Sequence, residues 1–302
     1  MLRFIVRRIS FIVLISVFIA FFAHLGMRMV RNSEISKPDY NLVRHSKGAW
    51  QDTRAFLAGT LQGNWGTVKI QSSRVLVKDV LWEAFVNSMG LLLVALAIAA
   101  VLGLCIGGVA ALTKRRTLVL LLLTLTILGI STPSFFAGLL LQVGELKYLA
   151  IFGRRLVRMA GFGWDFEHML MPVLVLAARP LAYLTRATFL SLRRVMEEDY
   201  IRTAFSKGLS LRQTVNIHAL RNIAVSVLTA LGVSVRFSLS TLPVAEFFFA
   251  WPGMGHRLLE AINARQALVV AVLASTLGLT FLFVNLLLDI AYRMVDPRMR
   301  EL

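Results

Sequence analysis

Long apolar stretches separated by short basic segments dominate the chain. A helix of about 20 apolar residues is long enough to cross a bilayer, and six stretches reach or approach that length. The pattern therefore predicts an all-α fold, a polytopic membrane helix bundle with six transmembrane helices. The predicted spans cover residues 9–27, 87–113, 117–144, 168–185, 222–245 and 266–288.

The predicted spans divide the chain into four parts. Residues 1–27 form an N-terminal transmembrane helix, which we interpret as retained because no A-x-A cleavage site follows the apolar stretch. Residues 28–86 form an extracytoplasmic segment of mixed charge, expected to be a small folded outer cap between helices 1 and 2. Residues 87–292 hold the other five helices and a cytoplasmic loop at 191–221, and residues 293–302 form a cytoplasmic tail.

The composition excludes an ordinary soluble protein. Of the 302 residues 57% are hydrophobic and only 16% are charged, whereas a soluble domain carries about 25% charged residues. The net charge of +17 would suggest nucleic acid as the partner of a soluble chain. Here 16 basic residues fall on one predicted face of the membrane, 15 on the other and two within spans. No single basic patch results, so no nucleic-acid partner is expected.

The distribution of basic residues also bears on the orientation in the membrane. An even number of spans places both termini on the same side, and the near-equal totals on the two faces do not decide which side that is. The compact basic turn at 114–116 is the kind of short loop that stays in the cytoplasm. The sequence therefore predicts that both termini are cytoplasmic.

The chain lacks the motifs of common catalytic and cofactor sites. It contains no G-x-x-x-x-G-K-[ST] phosphate loop, no H-E-x-x-H motif and no G-x-S-x-G elbow. Its single cysteine, Cys105, lies in an apolar stretch and can form no intrachain disulfide. We therefore expect no catalytic residue, metal or cofactor in this chain. Gly103 and Gly107, four residues apart, predict the close approach of another helix.

The loop at 191–221 carries the clearest signals outside the predicted spans. Acidic residues at 197–199 favour a helix start, and Lys207 favours a helix end. Gly208 suits the left-handed position just after a helix, and Leu209 supplies the apolar residue that commonly follows it. The loop is therefore expected to contain a helix that stops at a glycine hinge.

A second helix and an apolar stripe are predicted in the same loop. Ser210 and Gln213 have the spacing of a capping box, which predicts a second short helix outside the membrane. The first helix carries apolar residues at helical spacing, namely Tyr200, Ala204, Phe205 and Leu209. Two interpretations stay open: a surface hairpin packed on its own bundle, or a docking element for a separate cytoplasmic protein.

The segment from Tyr200 to Asn222 resembles the EAA loop of permease subunits of binding-protein-dependent ABC importers, in the dipeptide/oligopeptide type. Other stretches along most of the chain match that family in order. They are Leu61-Gln-Gly-Asn-Trp-Gly66, Gly129-Ile-Ser-Thr-Pro133-Ser-Phe135, Glu246-Phe-Phe-Phe-Ala-Trp-Pro252-Gly253-Met-Gly255, Asn285-Leu-Leu-Leu-Asp289 and Asp296-Pro297-Arg298. Because several matches stand in register, the resemblance is specific.

The resemblance implies a subunit of an ATP-driven importer for peptides or similar small solutes in the inner membrane of a prokaryote. Its implied partners are a second, different permease chain, two ATPase subunits, an extracytoplasmic solute-binding protein and membrane lipid. ATP and Mg²⁺ would bind in the ATPase subunits. The residues implied to couple to the ATPase are Tyr200, Ala204, Phe205, Lys207, Gly208, Leu209, His218 and Asn222, and the candidates for an extracytoplasmic gate are Trp251, Pro252, Gly253 and Gly255.

Two arginines, Arg179 and Arg236, lie well inside predicted spans, where a charged side chain costs roughly 2.5 to 3.5 kcal/mol. One hypothesis is that they face a water-filled path and attract an anionic group of the substrate, with Pro133 and Glu246 as further path candidates. The other is an ion pair or carbonyl cap at a subunit interface, with Glu246 as a possible partner. Buried charges serve both purposes, so both hypotheses are kept.

Two departures from the family pattern leave the substrate open. The family's P-G-D-P after the first helix is absent at 26–31, and Ser240 and Thr241 replace its usual Gly-Gly pair. Proteins of other classes would also fit the bare composition, namely a membrane-embedded enzyme or a basic lipid-binding membrane protein. The absence of a convincing nucleophile and base disfavours the enzyme, and only the total charge favours the lipid-binding protein.

Overall fold

A computed structural model describes residues 2–32, 42–70 and 73–295. Most of the residues in these ranges are helical, and the ranges also contain one two-stranded hairpin. In chain order the elements are α1 (Leu2–Asn32), α2 (Leu42–Leu61), β1 (Thr67–Ile70), β2 (Ser73–Leu76), α3 (Val77–Leu112), α4 (Arg116–Ser131), α5 (Ser134–Phe152), α6 (Phe166–Met196), α7 (Asp199–Ser206), α8 (Leu211–Thr214), a π-helical turn (Val215–Ala219), α9 (Leu220–Phe248), α10 (Met254–Asn263) and α11 (Ala267–Val295).

Within the described ranges, six helical segments are long and apolar enough to cross a membrane. This finding confirms the predicted polytopic bundle of membrane helices. Most segments extend beyond the predicted spans: α3 begins at Val77, and α6 continues to Met196. A helix satisfies its own backbone hydrogen bonds whatever its side chains, so the charged residues that bound an apolar stretch do not end the helix. The predicted Asp296-Pro297-Arg298 match lies outside the described residues.

The predicted third span, 117–144, is wrong as a single helix. It is divided into α4 and α5 at Thr132 and Pro133, both of which have extended backbone angles. Proline has no amide hydrogen and disfavours helical angles in the residue before it, which explains the break. The 16 residues of α4 reach only about 24 Å, less than the roughly 30 Å of a bilayer core.

The two helices α4 and α5 together run along α6 in the opposite direction. Gly129 near the end of α4 approaches the carbonyl of Ala178, and Leu141 of α5 packs in a cluster with Met171 and Val175 of α6. The predicted end at Glu145 is also wrong, because α5 continues to Phe152. Glu145 is buried, and its carboxylate accepts hydrogen bonds from the amides of Leu156 and Val157 at 2.8 and 3.3 Å.

The chain forms two compact units. One contains residues 1–89 and 250–287, and the other contains residues 90–249 and 288–302. In the first, α1 and α2 are joined by an ion pair in which Arg28 Nη2 donates to Asp52 Oδ1 at 2.8 Å. The strands β1 and β2 pair antiparallel with Val68 opposite Val75. In the described part of the segment between the first two spans, the chain forms a helix and a hairpin, and the all-α expectation did not include the hairpin.

The first unit also has its own apolar core. Val68 of β1 and Val77 at the start of α3 lie in one cluster with Met254 of α10 and with Val270 and Leu273 of α11. All five side chains are at most 9% exposed. The hairpin, α10 and the first part of α11 are thus held by burial of apolar side chains, the dominant favourable contribution to folding.

In the second unit α3 lies unusually close to α6, as Gly103 and Gly107 predict. A Cβ atom placed on Gly107 would stand 2.5 Å from the carbonyl oxygen of Thr185, and one on Gly103 would stand 2.7 Å from Cβ of Leu184. Only glycine leaves room for this approach, which confirms the packing role of the Gly-x-x-x-Gly spacing. Gly108, on another face of the same helix, has no neighbouring atom within 4 Å of the equivalent position.

The start of α6 is fixed by Asp165. Its carboxylate accepts hydrogen bonds from the amide of His168 at 3.1 Å and pairs with the His168 ring at 2.7 Å. Partial desolvation raises the pKa of Asp165, but the hydrogen bonds from His168 outweigh that effect and leave the pKa below its usual value. A charged carboxylate at this end of the helix is favoured by the helix dipole.

The two neighbouring glycines of α3 provide a test of this packing. Replacing Gly107 with Ala forces α3 and α6 apart and is expected to destabilise the protein by about 1 to 3 kcal/mol, as overpacking does. Gly108→Ala meets open space and removes a helix-weakening glycine, so it is expected to be neutral or slightly stabilising. Thermal unfolding of the purified protein in detergent measures both. Equal unfolding midpoints for the two variants would contradict the close contact.

Candidate functional site

The predicted coupling segment folds as a helix closed by a left-handed glycine. Gly208 has φ +82°, and its amide donates to the carbonyl of Phe205 at 2.9 Å. The amide of Leu209 donates to the carbonyl of Ala204 at 3.2 Å. These two bonds are those of a Schellman motif, so the predicted helix stop at Gly208 is confirmed. Because φ is positive, any other residue at this position would strain the turn.

The next helix begins at the predicted capping box. The hydroxyl of Ser210 accepts from the amide of Gln213, and the Gln213 side chain accepts from the amide of Ser210 at 3.0 Å. The expectation of a separate short helix is wrong, however. The helix continues from α8 through the π-helical turn into α9, because between Gln213 and Pro243 no proline interrupts it. The segment after the glycine hinge is therefore the start of the fifth span.

The predicted apolar stripe on α7 does not face one way. Tyr200 and Phe205 are each 41% exposed, whereas Ile201 and Ala204 are 0% and 5% exposed. Leu209 is half-buried, and Lys207 and Gly208 are exposed in the turn. One face of the helix therefore packs on its own chain through Ile201 and Ala204, and the aromatic side chains of Tyr200 and Phe205 are exposed on either side of that face. The docking of a separate protein stays a prediction.

Three of the predicted coupling residues are joined by hydrogen bonds. The side-chain amide of Asn222 donates to the hydroxyl of Tyr200 at 2.6 Å and to the backbone carbonyl of His218 at 3.2 Å. Tyr200 lies on α7, and Asn222 lies in the first turn of α9. The bond therefore fastens the loop helix directly to the fifth span, and His218 contributes its backbone.

The structure places Arg179 at a cavity inside the membrane-spanning part of the chain. The cavity has a volume of about 370 Å³ and lies among α4, α5, α6 and α9. Apolar side chains form most of its wall, and its polar side chains besides Arg179 are Thr132, Ser134, Ser238 and Thr241. Among the described residues no carboxylate lies within ion-pair distance of Arg179. Its positive charge is therefore available to an anion in the cavity.

Pro133 shapes this cavity indirectly. It is the first residue outside α5, and its neighbours Thr132 and Ser134 line the cavity. The break at Pro133 leaves backbone groups between the two helices without helical hydrogen bonds, a feature tolerated at membrane depth where it borders a cavity. The sequence hypothesis that Pro133 and Arg179 belong to one region is consistent with this placement.

Arg236 has a different environment from Arg179. Its Nη2 atom donates to Asp289 Oδ1 at 3.1 Å, and the two side chains are 39% and 19% exposed. Glu246 of the same chain lies ten residues further along the same helix, about 15 Å away, so it is not the partner of Arg236 within this chain. Arg236 is therefore an ion-paired residue between α9 and α11. Its Nε atom is buried and, within the described chain, has no hydrogen-bond partner. A pairing with Glu246 across a subunit interface stays a hypothesis.

The gate candidates are held against the start of α3. The indole of Trp251, fully buried, donates to the carbonyl of Asn87 at 3.0 Å, and the Asn87 side chain donates to the carbonyl of Pro252 at 3.1 Å. The hydroxyl of Ser88 accepts from the amide of Met254 at 2.7 Å. Gly253 is the residue before α10 and Gly255 lies in its first turn, and both are buried. Glu246 is fully buried at the end of α9. The gate role itself stays a prediction.

Sequence reasoning missed three residues that hold these sites together. The sequence pattern places Asp289 in a motif but does not identify it as the partner of Arg236, and it marks Asn87 and Ser88 only as the beginning of a span. Each is a polar side chain at the edge of an apolar stretch, which is the signal that could have identified them. In the described parts of the chain, no group of three or more His, Cys, Asp or Glu side chains could hold a metal ion.

The ion pair between Arg236 and Asp289 predicts strong coupling between substitutions. Arg236→Gln or Asp289→Asn alone leaves one charge in an apolar span without its partner, and each is expected to lower stability by about 2 kcal/mol, less than for a fully buried pair. The double variant is expected to be more stable than the sum of the two losses predicts. Thermal unfolding in detergent measures the stability of the two single variants and of the double variant. Strictly additive losses would show that the pair contributes nothing to stability.

Comparison with known proteins agrees with the motifs. Residues 103–301 match the family described as the binding-protein-dependent transport system inner membrane component. The glutathione transport system permease protein GsiC of Salmonella typhimurium is 30% identical over 313 aligned positions, which cover 99% of both chains. The protein of the same name from Escherichia coli strain K12 is 29% identical over the same coverage.

These matches extend over the helices that carry Arg179, Arg236 and the α7 turn. They exclude the alternatives of a membrane-embedded enzyme and of a protein that only binds lipid, because the matching family is a transport permease. The chain is thus a multi-pass inner-membrane protein, and it belongs to the family of inner-membrane permease components of binding-protein-dependent ABC transporters.

Proposed function

We propose that this permease forms half of the translocation path of an importer whose other half is a second, different permease chain. Two ATPase subunits and an extracytoplasmic solute-binding protein would complete the assembly. The sequence contains no phosphate-binding loop, so ATP and Mg²⁺ would bind and react in the ATPase subunits. The matching family is described as part of a binding-protein-dependent transport system, which supports the solute-binding protein as a partner.

The exposed aromatic pair on α7 carries the proposal for ATPase docking. Tyr200 and Phe205 present apolar surface on a helix that is capped at Gly208 and bonded to α9 through Asn222. Exposed aromatic side chains on a fixed element are typical anchors of a protein interface. The side of the membrane that holds α7 would then be the cytoplasm. An even number of spans would place both termini there as well.

The docking proposal predicts different effects for two exposed residues of α7. Phe205→Asp puts a charge into an apolar contact and is expected to weaken retention of the ATPase subunits by about thirtyfold, the loss of one interface anchor. Ser206→Asp is the matched control, because Ser206 is also exposed at the same end of α7 but points about 100° away from Phe205 and about 120° away from Tyr200. Ala204→Asp is unsuitable, since Ala204 is buried. Co-purification of tagged permease with its ATPase subunits gives the measurement.

Equal retention in Phe205→Asp and in the unmodified complex would contradict docking on this face. Loss of retention in Ser206→Asp as well would mean that any added charge disrupts the segment, and the aromatic pair would have no special role. Detergent extraction and the thermal unfolding midpoint of each variant show whether the permease itself is still folded.

We further propose that the transported solute is a small peptide-like molecule whose carboxylate binds Arg179. The matched permeases are named for glutathione transport, and a carboxylate complements an arginine that has no acidic partner within the described chain. Ser134, Ser238 and Thr241 line the same cavity and can hydrogen-bond polar groups of the solute. Arg236 would serve structure, because Asp289 already neutralises it.

The substrate proposal is tested by Arg179→Gln in the complete reconstituted transporter. Loss of one charge-assisted hydrogen bond is expected to lower uptake of a peptide with a free carboxylate by about tenfold. Uptake of the corresponding C-terminal amide should change much less. Arg186→Gln is the control, since Arg186 lies two turns further along α6 and is exposed outside the cavity. Equal losses for peptide and amide would contradict carboxylate binding at Arg179.

A further inference from the structure

A second cavity lies at the opposite end of α4 from the Arg179 cavity. It has a volume of about 770 Å³ and opens where the end of α3, the start of α4 and the end of α6 meet. Three basic side chains line it, Lys114, Arg116 and Arg193, and one acidic side chain, Glu197. The cavity therefore carries two more positive than negative charges.

The three basic residues are not used in the protein's own ion pairs. Within the described chain none of them, nor Glu197, lies within ion-pair distance of an oppositely charged group. Arg193 stands over the ring of Phe189, with 5.8 Å between the guanidinium carbon and the ring centroid. This contact holds the guanidinium against the helix without neutralising its charge. Like charges gathered at one cavity repel one another unless an anion is present.

The surroundings of the cavity identify the kind of anion. The cavity lies at one end of the spans α3 and α6, the depth at which lipid headgroups lie. Leu120 lines the cavity and is 57% exposed, and Leu121 and Leu125 continue the exposed apolar face along α4. A phospholipid has the matching arrangement: a phosphodiester at the membrane surface joined to acyl chains that run along the span. Basic pockets between membrane helices bind such headgroups.

We propose that this cavity, lined by Lys114, Arg116 and Arg193, binds the phosphodiester headgroup of an anionic phospholipid, whose acyl chains lie along Leu120 and the exposed face of α4. A free phosphate ion would satisfy the basic residues but would leave the apolar face unused. The bound lipid would connect the ends of α3, α4 and α6 immediately before the loop that contains α7.

Native mass spectrometry of the complete transporter in detergent tests the site with defined lipids. Phosphatidylglycerol is the anionic probe, and phosphatidylcholine is the zwitterionic probe. Lys114→Gln and Arg193→Gln are each expected to weaken phosphatidylglycerol binding by about fivefold, the contribution of one basic residue to an anionic lipid. Arg115→Gln is the matched control, because it removes the same charge from the same turn, whereas Arg115 does not line the cavity. The affinity of the Arg115→Gln variant for phosphatidylglycerol should change less than twofold.

A variant with the opposite expected sign separates binding from misfolding. Glu197→Gln removes the acidic side chain of the cavity and is expected to tighten phosphatidylglycerol binding severalfold, which a merely damaged protein would not do. An equal loss in Arg115→Gln would overturn the proposal in favour of unspecific surface attraction. Displacement of the lipid by millimolar inorganic phosphate would overturn the lipid assignment in favour of a soluble anion. Equal affinity for phosphatidylcholine would also overturn it.

Discussion

The cost of a charged side chain inside a membrane determines how the central helices of this permease are arranged. Arg179 of α6 and Arg236 of α9 both lie inside helical segments that are long and apolar enough to cross a membrane, and each would be unfavourable against lipid. The protein meets this cost in two different ways. Asp289 of α11 neutralises Arg236, which ties α9 to the last span, whereas Arg179 borders a cavity that water or solute can enter. One arginine is thereby neutralised within the chain, and the other borders open space without an acidic partner among the described residues.

The cavity depends on packing on both sides of α6. On one side Gly103 and Gly107 let α3 come into backbone contact with α6, so little space remains there. On the other side the interruption of the helix at Thr132 and Pro133 prevents α4 and α5 from forming one straight helix along α6. A single unbroken helix would pack an uninterrupted row of side chains against α6 and α9. Tight packing on one face and an interrupted helix on the other leave the open space beside Arg179.

Signals that act over a few residues could be predicted from the sequence, and contacts between distant residues could not. The apolar stretches, the left-handed Gly208 and the capping box of Ser210 and Gln213 each follow from chemistry within one or two turns. The partner of Arg236 lies 53 residues away, and no local pattern identifies it. The burial of Ala204 likewise depends on how α7 is rotated against its own bundle. The proline break could have been predicted, because Pro133 stands inside the apolar stretch, but the length of that stretch suggested one span.

The continuity of α8 with α9 gives the proposed coupling a physical route. The helix that begins at the capping box beside α7 continues through the π-helical turn and reaches Ser238 and Thr241 at the cavity wall. The bond between Tyr200 and Asn222 fastens α7 to the first turn of α9. A force applied to α7 therefore acts on the base of a helix whose far part borders Arg179. A short helix that is not continuous with α9, as the sequence alone suggested, would not pass such a force directly to the cavity wall. The π-helical turn is the least regular point in this route, and π-helical turns are frequent at functional sites, so bending of α9 would be expected to begin there.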